Sequence, residues 1–213
     1  MMRLGVAVIL WCGLWLPPLR GVLEADMATH MAVQLPLLAF VGVLLAPAVG
    51  RYEPRWLTEA DWLGIPGLVL VLFSTSYWML PLALDGALSD WRIEAAKFLS
   101  LPLAVGLPLG LSWRRMPPVG RGFVIANVIS KLGAAGGLFL AAPVRLCAYY
   151  RLDQQTEAGW LLVGIAVTLA VAAFLFVFCG WSWPLAGGSV RPVATTELLS
   201  TPAPSWDSLS LKP

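Results

Sequence analysis

From Met27 to Val49 the chain carries no Asp, Glu, Lys or Arg. Apolar stretches of this kind recur along the sequence, and they constrain the fold more than any motif does. A run of about 20 apolar residues is the length that crosses the hydrocarbon layer of a bilayer as a helix. Of the 213 residues, 59% are hydrophobic and only 12% charged; a soluble domain is about a quarter charged. Such a chain cannot cover its surface with polar groups, so lipid is its solvent. A lone strand in lipid leaves backbone N–H and C=O groups unpaired, and helices are therefore required. The sequence predicts an all-α, polytopic transmembrane helix bundle.

The spans fall in order. Arg3 precedes LGVAVILWCGLWL, which is short for a span. A cleaved signal peptide is the rival reading. No clean small-x-small cleavage site precedes Leu23, which favours a retained first helix. The second span is Met27–Val49, the third Trp62–Leu84, the fourth Ile93–Trp113, the fifth Phe123–Val144 and the sixth Ala158–Cys179. This gives about six spans, or five if the first is removed. A polar hinge, Asp85–Glu94, separates the third and fourth. The transmembrane region extends over residues 1–183. The tail from Pro184 to Pro213 is rich in Ser, Thr and Pro and is expected to be a disordered cytoplasmic segment.

Trp62, Trp78, Trp91, Trp113, Trp160, Trp181 and Trp183 fall near span ends, as an aromatic belt would. Gly106 and Gly110 are four apart in the fourth span, as are Gly133 and Gly137 in the fifth; this spacing lets helix backbones approach closely. Ordinary scattered glycine explains either pair alone equally well.

Lys and Arg set orientation. The loop holding Arg114, Arg115 and Arg121 has no acidic residue, and it tips a small excess that puts both termini in the cytoplasm. His30, the Asp85–Glu94 hinge and the loop with Tyr149, Tyr150 and Asp153 then share the outer side. The net charge of +2 is too small to argue for nucleic acid. The lone histidine, His30, excludes a multi-histidine metal or haem site within this chain, and Cys12, Cys147 and Cys179 have no paired spacing of the zinc or redox kind. No nucleophile–base or nucleotide-binding pattern is present, which points away from an enzyme.

Several stretches resemble a known family. YWMLPLALDGAL followed by EAAKFL resembles the CtaG-type cytochrome c oxidase assembly proteins, integral membrane proteins implicated in copper supply to the oxidase. The matching residues are Trp78, Pro81, Asp85, Ala87, Leu88, Glu94, Phe98 and Leu99. THMAVQLPLL resembles the family's His-Met-x-x-His helix start, with His30 and Met31 kept. AAPVRLCAYYRLDQQTEAG resembles a third segment, with Asp153, Gln154 and Gln155 matching. The three occur in the family's order between Thr29 and Gly159. Where the family has further histidines, this chain has Gln34, Met79, Trp91 and Ala95.

The resemblance implies a bacterial cytoplasmic (inner) membrane location, with a site on the outer, periplasmic side. It also implies cytochrome c oxidase subunits as partners beside the lipid bilayer. Copper(I) accepts thioether, thiolate and imidazole ligands. Met27, His30 and Met31 stand at i, i+3 and i+4 and so share one helix face. Met79 occupies a position where the family has a histidine, and Cys147 is a further soft donor. Against this, methionines commonly fill gaps on packed helix faces, in which case His30 hydrogen-bonds to Glu94 or Asp85. Glu94 and Lys97 are spaced to pair with each other on one helix end. Lys131, inside the fifth span beside Asn127 and Ser130, should face the bundle and find a partner, or else snorkel to the inner surface. The expected function is a membrane accessory protein of oxidase assembly. The alternatives are a small transporter with Lys131 on its pathway, or a structural subunit of a larger membrane complex without metal.

Overall fold

The computed structural model describes residues 2–52 and 64–178. Every regular element among these residues is helical, as the hydropathy pattern requires. Four helices are long and apolar enough to span a bilayer: α3 (Met27–Val49), α6 (Trp91–Ser112), α7 (Pro118–Ala141) and α8 (Leu152–Phe178). Two further pairs, each bent by 71°, qualify only jointly: α1 (Met2–Trp15) with α2 (Pro17–Glu24), and α4 (Ile65–Trp78) with α5 (Pro81–Ser89). The count is thus four spans, or up to six if each bent pair is one. The protein is a multi-pass membrane helix bundle.

The chain divides into two units, residues 1–174 and 175–213. Of the second, only Leu175–Phe178, the last residues of α8, are described. The expected disordered tail, the boundary at residue 183, Cys179, Trp62, Trp181 and Trp183 lie outside the described residues.

Local chemistry explains where the helices start. Proline opens α2 at Pro17, α5 at Pro81 and α7 at Pro118, where its missing N–H has no cost. Asp26 caps α3 by accepting from the Thr29 N–H at 3.1 Å, and Asp90 caps α6 by accepting from the Arg92 N–H at 2.8 Å. The expected polar hinge at Asp85–Glu94 is therefore resolved into two breaks. One lies at Met79–Leu80 and the other at Asp90, with α5 between them. Leu80 and Asp90 are both extended, which ends the helices on either side.

Helices α3 and α6 form the centre, with α1 against α3 and α4 against α6. Gly42 and Gly106 meet backbone to backbone: a Cβ on Gly106 would lie 2.7 Å from the Gly42 Cα, and one on Gly110 would lie 2.5 Å from the Ala46 Cβ. The Gly106/Gly110 spacing therefore marks a true close approach, completed by Gly42 from α3. The Gly133/Gly137 pair does not. A Cβ on Gly137 meets nothing within 4 Å, and the α7–α8 contact instead runs through Gly136 and Gly159.

Each central helix also contains one π-helical turn, His30–Gln34 in α3 and Leu101–Gly106 in α6. Each is followed by a proline, Pro36 and Pro108. A proline cannot donate to the carbonyl four residues back, and its ring crowds that carbonyl. Widening the preceding turn relieves the conflict: the Leu35 N–H reaches His30 O and the Leu107 N–H reaches Pro102 O.

Candidate functional site

A polar cluster is built where the end of α2, the π-turn of α3 and the first turns of α6 meet. Lys97 is fully buried. Its Nζ lies 2.7 Å from Glu24 Oε1 and 3.4 Å from Gln34 Oε1, while Gln34 Nε2 donates to the same Glu24 oxygen at 3.0 Å. Arg20, partly exposed, closes the cluster. Its Nη1 lies 2.8 Å from Glu94 Oε1, an ion pair whose angles miss hydrogen-bond alignment, and its Nε lies 3.7 Å from Glu24 Oε2. Two cations thus face two carboxylates, and the buried Gln34 amide bridges them. Attraction in a low-dielectric setting offsets the cost of desolvating the charges only when such geometry is complete.

The expected pairing of Glu94 with Lys97 is not what forms. Helix spacing makes it possible, but Glu24, carried in by the bent α1–α2 segment, reaches Lys97, and Arg20 takes Glu94. Neither Arg20 nor Glu24 stands out among the candidates the sequence offers. Their i, i+4 spacing within an otherwise apolar context was the available signal.

His30 is also fully buried, and neither ring nitrogen has a hydrogen-bond partner. The expected bonds to Glu94 or Asp85 do not form. Glu94 is engaged by Arg20, and Asp85 Oδ2 accepts from the Ala148 N–H at 2.7 Å. The imidazole packs edge-on against Tyr150, with ring centroids 6.2 Å apart. The Tyr150 hydroxyl donates to Glu24 O at 3.1 Å. Burial, reinforced by the Glu24, Asp26 and Asp85 carboxylates, raises that phenol above its ordinary pKa. Asp85 Oδ1 is buried and unpartnered.

Residues 142–151 form an irregular loop held down by two glutamines. Gln155 Oε1 accepts from the Leu146 N–H at 2.8 Å while its Nε2 donates to Phe139 O at 3.2 Å. Gln154 donates to Ala25 O at 3.2 Å. Asp153 is exposed and pairs with Arg151, and Tyr149 is exposed, so neither joins the cluster. Trp78 is buried, not belt-like; its indole N–H donates to Ser100 Oγ at 2.8 Å and ties α4 to α6. Trp91 lies 73% exposed at the start of α6.

Lys131 is half-buried on α7. Its Nζ is 2.8 Å from Leu72 O and 2.6 Å from Thr75 Oγ1, both on α4. It faces the bundle, and the partners it finds there are neutral.

The donor set can be tested against a soft metal ion. Met27 and Met31 are buried on the same helix as His30, whose nitrogens are free. Imidazole with two thioethers suits copper(I). Gln34 is committed to Glu24 and Lys97, and Met79 lies half-buried at the end of α4. Cys147 is a poorer donor: burial, reinforced by Asp85, pushes its thiol up to about 12, so it stays protonated at neutral pH. Among the described residues no three His, Cys, Asp or Glu side chains are grouped to hold an ion, so a soft site has to draw on methionine. By donor type and shared helix, His30, Met27 and Met31 are the residues that would serve a soft ion here.

No family model, no curated protein and no solved structure matches this chain.

Proposed function

We propose that this protein is an accessory factor of respiratory-oxidase assembly in a bacterial cytoplasmic membrane, with its site on the outer side. One observation carries the reading. The three stretches that resemble the CtaG-type proteins are far apart in sequence, yet they meet around one end of the bundle. Gln34 contacts Lys97, His30 packs on Tyr150, and Asp85 accepts from the Ala148 N–H. Three stretches that resemble that family thus meet at a single site. At one of the family's histidine positions, Gln34 bridges a carboxylate and an ammonium group. The arrangement suits a rigid docking platform for an oxidase subunit. In a strain lacking the gene, oxidase haem and copper content is expected to fall. Normal content would overturn the reading in favour of a transporter or a structural subunit of another complex.

A second reading, that the platform also holds copper(I), is favoured by the unpartnered His30 nitrogens on the helix that also carries the buried Met27 and Met31. Bound there, copper(I) would be the cargo passed to the oxidase, and the chain's own part would be to exclude water and supply soft donors. Copper(I) bound per purified protein is expected to approach one and to fall in His30→Ala. No copper bound to the folded protein would leave only the docking role.

A further inference from the structure

The Lys131 ammonium group lies deep within a spanning helix. It is 13 positions from Pro118 and 10 from Ala141, the ends of α7. At a rise of about 1.5 Å per residue this is roughly 20 Å from one end and 15 Å from the other, near mid-membrane. Both of its acceptors are neutral, the Leu72 carbonyl and the Thr75 hydroxyl. The Thr75 hydroxyl spends its own proton on Val71 O at 2.7 Å, so towards Lys131 it only accepts. One ammonium N–H and the whole unit charge are left without a carboxylate among the described residues. No described acid bonds to it: Glu24 pairs with Lys97, Glu94 with Arg20 and Asp153 with Arg151, Asp85 accepts from the Ala148 N–H, Asp26 and Asp90 cap helices, and Glu157 is exposed on the second turn of α8.

A charge at that depth is retained in membrane proteins when it meets an opposite charge or a functional pathway. The face of α7 beside it is open. Ala134 and Leu138, three and seven positions on from Lys131, are exposed, and Ala126, Ser130 and Gly137 continue an exposed strip of small residues on the adjoining side, where a Cβ on Gly137 would meet nothing. Small side chains let a second helix come close enough for a short Asp or Glu side chain to reach the ammonium group. We infer that α7 docks a transmembrane helix of a partner membrane protein that carries a carboxylate near mid-membrane, paired with Lys131. This goes beyond the assembly reading and stands without it, because it uses none of the residues around His30.

The test uses the full chain in phosphatidylcholine vesicles at pH 8, labelled for energy transfer. The probe is a synthetic leucine–alanine transmembrane helix with one central Asp, compared with the same helix carrying Leu there. The Asp helix is expected to associate about tenfold more strongly, as one charge-assisted hydrogen bond in a dry setting allows. The preference should vanish in Lys131→Met and persist in Lys131→Arg. Equal association of the two helices with the unaltered chain would overturn the proposal, and this arm holds even if Lys131→Met fails to fold. An Asp preference that survives in folded Lys131→Met would also overturn it. So would labelling of Lys131 by a water-soluble amine reagent, which would mean that the side chain snorkels to the surface. Self-association of the chain that Lys131→Met abolishes without any probe would assign the face to a second copy instead.

Discussion

Two lysines reach into the apolar part of this protein, and they are accommodated differently. Lys97 sits where α2, α3 and α6 converge, fully buried, against a carboxylate and an amide. Lys131 sits on α7 against a carbonyl and a hydroxyl. The surroundings differ in the same sense. The α3–α6 centre is packed backbone to backbone through Gly42 and Gly106, whereas α7 and α8 leave most of their surface uncovered. A charge that is internally matched belongs to a finished interface. One matched only by neutral groups belongs to a surface that still has a counterpart to meet.

This comparison can be broken most directly at the paired lysine. Glu24→Ala leaves the Lys97 ammonium buried without its carboxylate, and the expected loss is about 3–5 kcal/mol. Lys131→Met should change stability by less than about 1 kcal/mol in the isolated chain, because it removes a charge together with its desolvation cost. Both are read as shifts in the unfolding midpoint in detergent. A Lys131→Met loss as large as that of Glu24→Ala would remove the distinction.

The packing contrast is sharpened by glycine. Gly106→Ala should cost about 1–3 kcal/mol, since its Cβ would run into the α3 backbone. Gly137→Ala should stay within about 0.5 kcal/mol. The same unfolding assay reads both, and equal effects would mean that the two halves are packed alike. Trp78→Phe is expected to lose about 1 kcal/mol with the hydrogen bond to Ser100. A last effect is confined to alkaline pH. The Cys147 thiol has its pKa raised from 9.0 to about 12 in the folded protein. The folded state therefore holds a proton that the unfolded state gives up, and stability falls as pH rises from about 9 towards 12. Cys147→Ser should flatten that decline, as measured by unfolding midpoints across the range.

The helical membrane architecture was legible because the bilayer imposes it: a run such as Met27–Val49 has no other stable home. The ends of elements were less so. The expected third span through Leu84 is broken at Met79–Leu80, and the sixth starts at Leu152, not Ala158. The start of a helix inside a polar loop leaves no hydropathy signal. Gly133 and Gly137 had the right spacing and the wrong face, because several registers on α7 satisfy a four-residue rule and only contact with α8 selects Gly136. Met27, His30 and Met31 stood out from their spacing on one helix, and Gln34 only from the resemblance that gave it a histidine's position. The Glu24–Lys97 pair was not, since its partners are 73 positions apart and only the bend after Trp15 brings them together.

The two π-helical turns carry a last consequence. A π-turn is, in effect, one inserted residue that the helix absorbs without unwinding. Helices α3 and α6 each hold one such insertion, on the side of the Gly42–Gly106 crossing that bears the polar cluster. The flanking segments therefore keep the phase that an uninterrupted helix would give them. Deleting one residue inside a π-turn would return it to α-helix and leave Gln34 or Lys97 within reach of Glu24. Deleting one residue of α3 between Pro36 and Gly42 would instead swing the segment that bears Gln34 by about 100° relative to the crossing and carry it out of reach. Length variation in these helices is therefore expected to be tolerated inside the π-turns and costly outside them, a contrast that single deletions read by the unfolding assay would show.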